Sequence, residues 1–86
     1  MAPSWIEVRL YATARQAARQ SSVRIEAPPA GLAAAELVRT LARRFPALAP
    51  VLRVSRFVRN DRTLPHLRAR VRPGDRFSVH PPYGGG

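Results

Sequence analysis

Residues 71–86 read VRPGDRFSVHPPYGGG, and they combine a turn, a strand and a tail. Residues 73–75, Pro-Gly-Asp, are a turn signal. In residues 77–80 the apolar Phe and Val alternate with Ser and His, at the period of two that is typical of a half-buried strand. The proline pair at 81–82 fixes φ and favours an extended stalk. The pattern therefore predicts a final strand that ends near residue 80.

Similar alternation occurs near the start of the chain. Residues 6–10 (IEVRL) and 23–26 (VRIE) place apolar side chains on one face and mainly charged side chains on the other. They are predicted to be two strands of one sheet. If the strands pair antiparallel, their charged faces bring opposite charges together. The alanine-rich residues 12–20 between them are expected to form a short helical turn.

A helix is predicted in the middle of the chain. After the break at residues 28–31 (PPAG), apolar residues recur at the spacing of one helix face from Leu32 to Phe45. The members of this stripe are Ala34, Leu37, Val38, Leu41 and Phe45. Pro46 is expected to end the helix.

Between the helix and the last strand we predict one further strand. Three apolar residues are expected to cover the sheet edge in a short turn: Leu48, Val51 and Leu52. A strand follows around Val54 to Arg59, in which Val54, Arg56 and Val58 compete with Phe57 for the inner face. Asn60-Asp61 suits a turn, because short polar side chains can bond their own backbone.

These elements run in the order strand, strand, helix, strand, strand. A last strand lying parallel to the first would give a mixed sheet with one main helix packed on one face. The predicted class is therefore α+β, with the layout of a ubiquitin-like β-grasp fold. We expect one globular domain over residues 1–80 and a flexible C-terminal tail over residues 81–86.

Composition limits the functions that this chain can carry. Its 86 residues suit one compact unit, and its lack of cysteine excludes disulfides, thiolate metal sites and thiol nucleophiles. No apolar run is long enough to span a membrane, so we expect a cytoplasmic protein without a membrane partner. Residues 1–22 can also be interpreted as an organellar transit peptide, but the strand pattern at 6–10 disfavours this.

The charge pattern does not favour nucleic acid as a partner. The formal net charge is +10, and the 15 basic residues are all arginine, scattered from Arg9 to Arg76. A nucleic-acid-binding domain, which remains an alternative, would show clustered arginines and exposed aromatics. With no lysine, the chain offers no side-chain amine for conjugation.

The sequence shows no active site of its own. His66 and His80 lack the cysteines or carboxylates of a metal site, so we expect surface or edge histidines and no metal. The serines lack a histidine and aspartate pattern. Asp75 is interpreted as turn chemistry, and Trp5 as a lid on the sheet edge.

The end of the chain carries a family resemblance. Residues 71–86 resemble the C terminus of the MoaD/ThiS sulfur carriers, most closely the small subunit of molybdopterin synthase, with a Gly-Asp turn, an apolar strand, a Pro-Pro pair and a terminal Gly-Gly. Residues 8–15 are similar to the family's first strand and turn, and residues 37–48 to its helix and helix end. Two departures are Gly84, where the family often has serine or threonine, and Asp61, where its hairpin often has glycine.

The resemblance implies a function for the tail. An E1-like adenylating enzyme would convert the carboxylate of Gly86 to an acyl adenylate with ATP, and a sulfur donor would leave a thiocarboxylate. The chain itself would bind no cofactor. The sulfur would pass to a pterin precursor in the large subunit of molybdopterin synthase. Alternatively, another sulfur-accepting enzyme would receive it. The implied partner-binding residues are Pro81, Pro82, Tyr83, Gly84 and Gly85.

Several alternatives share this tail chemistry. Sulfur carriers for thiamine, cysteine or secondary-metabolite synthesis have similar tails, and the Pro-Pro pair and the length favour the pterin pathway. A ubiquitin-like protein modifier would also need an exposed Gly-Gly and adenylation, with Gly86 forming an isopeptide bond to lysines of other proteins.

Overall fold

The computed structural model describes residues 4–82. Within this range no helix has the length and apolar character needed to cross a membrane. The strands are β1 (Trp5–Leu10), β2 (Ser22–Glu26), β3 (Leu32–Ala33), β4 (Arg56–Arg59), β5 (Arg62–Thr63), β6 (Arg70–Val71) and β7 (Arg76–His80). The helices are α1 (Ala12–Ala18), α2 (Ala34–Arg44) and α3 (Ala49–Arg53), with a 3₁₀ turn at Pro46–Leu48.

The main sheet is mixed and has five strands in the order β2-β1-β7-β4-β5. β1 pairs antiparallel with β2 and parallel with β7, so the first and last strands are neighbours, as predicted. β7 also pairs antiparallel with β4. One face of the sheet packs with α2 and α3 around a single apolar core, which includes Ile6, Leu37 and Phe77. This is the predicted α+β, ubiquitin-like β-grasp architecture.

The alternation in the first two strands is confirmed, but their charges meet differently from the prediction. Glu7 lies opposite Arg24 in the register. The Arg24 guanidinium instead lies over the Trp5 ring, 4.7 Å from its centroid. Glu7 contacts Arg9 on its own strand, with an N to O distance of 3.8 Å. An arginine over an indole face gains cation–π attraction, which competes with exposed ion pairing.

Helix α2 begins later than predicted. The prediction started it at Leu32, but Leu32 and Ala33 pair with Val71 and Arg70 as a short antiparallel ladder. The first helical amides then donate to loop carbonyls, Ala34 N–H to Ala69 at 2.9 Å and Ala35 N–H to Leu67 at 2.8 Å. These bonds satisfy donors that a helix start leaves without intrahelical partners. The loop after β5 therefore fixes the beginning of the helix.

The expected turn at the sheet edge is wrong. Residues 46–53 form the 3₁₀ turn and α3, in which Leu48 and Leu52 belong to the core and Val51 packs against it. Pro46 and Pro50 each lie in the first turn of their helix. Proline is well suited to that position, because the first turn needs no donor there and φ is already near its helical value. The prolines thus start these short helices.

The register left open in the third strand is settled by Phe57. Its side chain is buried and stacks on Phe77, with ring centroids 6.0 Å apart. Val54 is 63% exposed and precedes the strand, which begins at Arg56. The predicted turn at Asn60-Asp61 is confirmed. Both residues have positive φ, 50° and 70°, which is the signature of a type I′ hairpin.

The end of α1 provides a stability test. Arg19 closes this helix in the left-handed conformation, φ 59° and ψ 30°, where glycine is favoured. We expect Arg19→Gly to raise the free energy of unfolding by about 0.5 kcal/mol, because the relief of αL strain outweighs the added entropy of the unfolded chain. Urea denaturation measures the change. Arg15→Gly, inside the same helix, should lower stability by about 1 kcal/mol, and equal losses in the two variants would contradict the argument.

Candidate functional site

The strand that leads into the tail is held on both sides. β7 lies between β1 and β4, with Val79 opposite Leu10 on one side and Phe57 on the other. Because Phe77 and Val79 are buried in the core, the strand is anchored up to its last residue, His80. Pro81 is half-buried and Pro82 is exposed. Within residues 4–82, the chain therefore ends beside this end of the sheet.

The predicted site falls only partly within the structure. Pro81 and Pro82 directly follow the last residue of β7, and their role in partner binding stays a prediction. The predictions for Tyr83, Gly84, Gly85 and Gly86 lie outside the described residues, as does part of the predicted division between domain and tail. The site that can be described is the surface around the tail base.

One face of the sheet is left open by the helices. We call it the open face, and it is lined by Trp5, Glu7, Arg9, Tyr11, Arg76 and Ser78. These residues alternate with the core residues of β1 and β7, which explains their common side. Trp5 is 38% exposed and Tyr11 is 45% exposed. Exposed aromatic side chains beside arginines are typical of protein interfaces.

A small cluster connects the open face to the tail base. The rings of Tyr11 and His80 stack with centroids 4.8 Å apart and an angle of 17° between their planes. The Ser78 hydroxyl lies 2.8 Å from Nε2 of His80, within hydrogen-bond distance. Both contacts restrict the His80 ring directly before the proline pair. The cluster therefore fixes the point at which the chain leaves the sheet.

Asp75 has the structural role that the sequence predicts. Its Oδ2 accepts the Arg72 amide at 2.8 Å, and its Oδ1 accepts Nδ2 of Asn60 at 3.0 Å. Oδ1 of Asn60 in turn accepts the Arg76 amide at 2.8 Å. These bonds join the turn before β7 to the β4–β5 hairpin. The carboxylate is engaged in fixing two turns, so it is not placed as a general base.

Two further observations concern candidate metal ligands and buried polar groups among the described residues. Between residues 4 and 82 no group of His, Cys, Asp or Glu side chains is arranged to hold a metal ion. In the same range every buried side-chain N or O atom has a hydrogen-bond partner.

Sequence reasoning missed two features of this surface. Trp5 lies on the open face of β1, which has neighbours on both sides, so its interpretation as a lid on the sheet edge is wrong. The contact between Tyr11 and His80 was also missed. The sequence contains no direct signal for this contact. The two residues meet because β1 and β7 are parallel and pair in a register that places Arg9 opposite Ser78.

Comparison with solved structures identifies relatives of this fold. SAMP1 from Haloferax volcanii has a TM-score of 0.78 at 23% identity, covering 95% of this chain and 99% of that chain. Small archaeal modifier protein 1 from Methanosarcina acetivorans has a TM-score of 0.79 at 20% identity, covering 96% and 97%. At these identities the likeness supports the β-grasp fold alone.

A third similar structure contains a partner. It is the complex of subunits 1 and 2 of the molybdopterin-converting factor from Helicobacter pylori, with a TM-score of 0.65 at 23% identity, covering 95% of this chain and 99% of that chain. No curated protein sequence matches the chain. The family model described as the ThiS family matches residues 8–86, nearly the whole sequence and including the glycine tail. The chain therefore belongs to the ThiS family.

Proposed function

We propose that this chain is a sulfur carrier whose C-terminal Gly86 is adenylated, converted to a thiocarboxylate and used to donate sulfur in molybdopterin biosynthesis. In this proposal the chain is the small subunit of a molybdopterin synthase and is not an enzyme on its own. The observation that carries the proposal is the family match through Gly86, together with a firmly anchored β7 that ends at the tail base.

The proposed chemistry activates a poor acyl donor. A carboxylate oxygen of Gly86 attacks the α-phosphorus of ATP in an E1-like partner, which releases pyrophosphate and forms an acyl adenylate. Hydrosulfide from the sulfur donor then attacks the carbonyl carbon, the bond to AMP breaks, and the thiocarboxylate forms as AMP leaves. ATP is bound by the partner, and this chain holds no cofactor. Its glycine residues allow the backbone to enter a narrow cleft in which a Cβ would clash.

The open face offers a surface on which such partners can dock. It combines the exposed aromatics Trp5 and Tyr11 with arginines, and the Tyr11–His80 stack lies beside the tail base. A partner that covers this face would have its cleft close to the start of the tail. Positioning of this kind raises the effective concentration of the reacting carboxylate. The Helicobacter pylori complex of subunits 1 and 2 supports a large-subunit partner.

The absence of cysteine makes the thiocarboxylate directly detectable. The chain is incubated with ATP, a sulfur source and the candidate activating enzyme, then treated with iodoacetamide, and its intact mass is measured. Because the chain has no thiol, a thiocarboxylate would be its most reactive group toward iodoacetamide. We therefore expect one alkyl group per chain, at the C terminus, and only when ATP is present. Oxidation of Met1 would shift the mass without alkylation. If an enzyme adenylated the chain but iodoacetamide did not alkylate it, the proposal would be contradicted.

A protein modifier is the second candidate function. The structural likeness to the SAMP1 proteins of Haloferax volcanii and Methanosarcina acetivorans favours it, because SAMP1 stands for small archaeal modifier protein 1. Covalent ladders on other proteins in cells, joined through Gly86, would support the modifier. A free thiocarboxylate without such ladders would support the carrier.

The acceptor of the sulfur needs its own experiment. The thiocarboxylate form is purified and mixed with a molybdopterin synthase large subunit and the pterin precursor, and sulfur incorporation is measured. Transfer would support the pterin pathway. Transfer only to thiamine, cysteine or secondary-metabolite enzymes would retain the carrier chemistry and reject the pathway.

The charge of +10 gives a prediction about partner affinity. We expect the activating enzyme or large subunit to present an acidic rim, since complementary charges steer association. Raising the salt concentration from about 50 mM to about 500 mM should weaken binding about tenfold or more, because screening shortens the reach of charge. Titration calorimetry at several salt concentrations measures this, and an affinity that does not change with salt would contradict it.

A further inference from the structure

A second surface lies on the helical side of the sheet. It is a groove of about 570 Å³ between α2, α3 and residues 64–67, and we call it the lateral groove. Its apolar lining includes Val38, Ala42, Leu52, Phe57, Leu64 and Leu67. Ala42 on α2 and Ala49 on α3 both line it, and their small side chains leave space between the two helices. The groove is distinct from the open face and does not depend on the sulfur chemistry proposed above.

The rim of the groove is basic. Arg39 on α2 and Arg53 on α3 both line it and are exposed, and His66 lies on the facing loop. Neither arginine forms an ion pair within residues 4–82. No aspartate or glutamate lines the groove. An apolar floor between two arginines is complementary to a segment with large apolar residues and flanking carboxylates.

The groove fits a protein segment better than a small molecule. Small-molecule sites place a few polar groups to orient the ligand. Here the Ser55 hydroxyl is already used, because it donates to the Val51 carbonyl at 2.7 Å. The remaining polar side chains, Arg39, Arg53 and His66, lie at the rim. An apolar side chain can therefore enter without leaving a polar group unpaired, while acidic neighbours reach the arginines.

From these observations we infer that the lateral groove binds an acidic amphipathic segment of a partner protein. Ser55 also lines the small cleft beside Pro81 and Pro82, so the groove and that cleft lie on either side of this residue. A segment bound there would approach the tail from the side opposite the open face. The carrier would then have two separate surfaces for partner proteins.

The probe for this inference is a synthetic helical peptide with leucines at i, i+4 and i+7 and glutamates at its exposed positions. Binding to the full chain is followed by NMR of backbone and methyl groups. We expect shifts at Val38, Leu64 and Leu67, and little change at Trp5 and Tyr11. A peptide with lysine in place of glutamate should bind at least about tenfold more weakly.

Two variants test the groove directly. Arg39→Glu with Arg53→Glu should weaken peptide binding about tenfold or more, because both rim charges reverse. The matched control, Arg15→Glu with Arg43→Glu, changes the net charge equally outside the groove and should leave most of the affinity. Ala42→Leu fills the groove without changing charge and should also weaken binding about tenfold, whereas Ala47→Leu, at an exposed site outside it, should not.

Three outcomes would overturn the inference. One is peptide binding centred on the open face. Another is an equal loss of affinity in the two double-arginine variants, which would indicate attraction to net charge alone. The third is saturable binding of decanoate in the groove with no binding of the acidic peptide, which would assign the groove to a small amphiphile. Thermal unfolding of each variant verifies that it is folded before binding is measured.

Discussion

Deletion of Gly86 is expected to reduce thiocarboxylate formation by at least about a hundredfold while leaving the fold intact. The deletion moves the terminal carboxylate back along the chain by about 3.4 Å, the rise of one extended residue. Misplacing a reacting group by about 1 Å can already cost a factor of about a hundred. Alkylation by iodoacetamide after incubation with ATP and the activating enzyme measures the loss.

Two variants separate reach from general disturbance of the tail. Gly84→Ser keeps the length of the tail and introduces serine, one of the two residues that the family often has at this position, so it should retain activity. Addition of one alanine after Gly86 lengthens the chain and should be as inactive as the deletion. If the deleted or extended chain were labelled as fully as the original, without being trimmed, the role proposed for Gly86 would be rejected.

Gly31→Ala is expected to destabilise the domain by about 3 kcal/mol. Gly31 has a φ of +81°, and an added Cβ would overlap the carbonyl oxygen of Val71 and lie 2.9 Å from the Cα of Arg72. These are backbone atoms of the β3–β6 ladder region, which cannot move aside as a side chain can. The turn is further fixed by Arg70, whose guanidinium donates to the Gly31 carbonyl at 2.9 Å. For a domain of this size the melting temperature should fall by more than about 10 °C.

Gly74 provides the matched control. Its φ is +95°, but an added Cβ there has nothing within 4 Å. Gly74→Ala should therefore show only the strain of a positive φ, about 1 kcal/mol. Urea denaturation of both variants measures the difference. Equal losses would show that the close approach of Val71 is relieved by backbone adjustment.

Local pattern predicted the long elements because each carries its own periodicity. The alternation in residues 6–10 and 23–26 predicted β1 and β2, and the helical stripe predicted α2, although the predicted helix began two residues too early, at Leu32. Leu32 and Ala33 are in a strand because Val71, far along the chain, pairs with Leu32. No local pattern contains that information. Tertiary pairing decides such short segments.

The remaining differences have similar causes. β3, β5 and β6 have two residues each, too few to show a period of two. The helices at residues 46–53 were hidden because proline was interpreted as a stop signal, whereas Pro46 and Pro50 begin new helices. Phe57 occupies the inner face of β4 because it packs against Phe77 in the core, and this contact exists only in the assembled sheet.

The candidate site divides in the same way. The tail motif is a property of local sequence, so a glycine-ended carrier could be predicted from residues 71–86 alone. The open face and its link to His80 could not be predicted, because Trp5 and Tyr11 belong to the first part of the chain and His80 to β7, and only the fold brings them together. The lateral groove likewise depends on two alanines on different helices facing one space.

The central place of β7 has a mechanical consequence. If a partner drew the C terminus into its cleft as proposed, a pull along the strand axis would be resisted by two hydrogen-bonded ladders at once, one with β1 and one with β4. Shear of this kind loads many bonds together, whereas peeling at an edge breaks them one at a time. Tension on the end of the chain would thus be carried by the central strand of the main sheet.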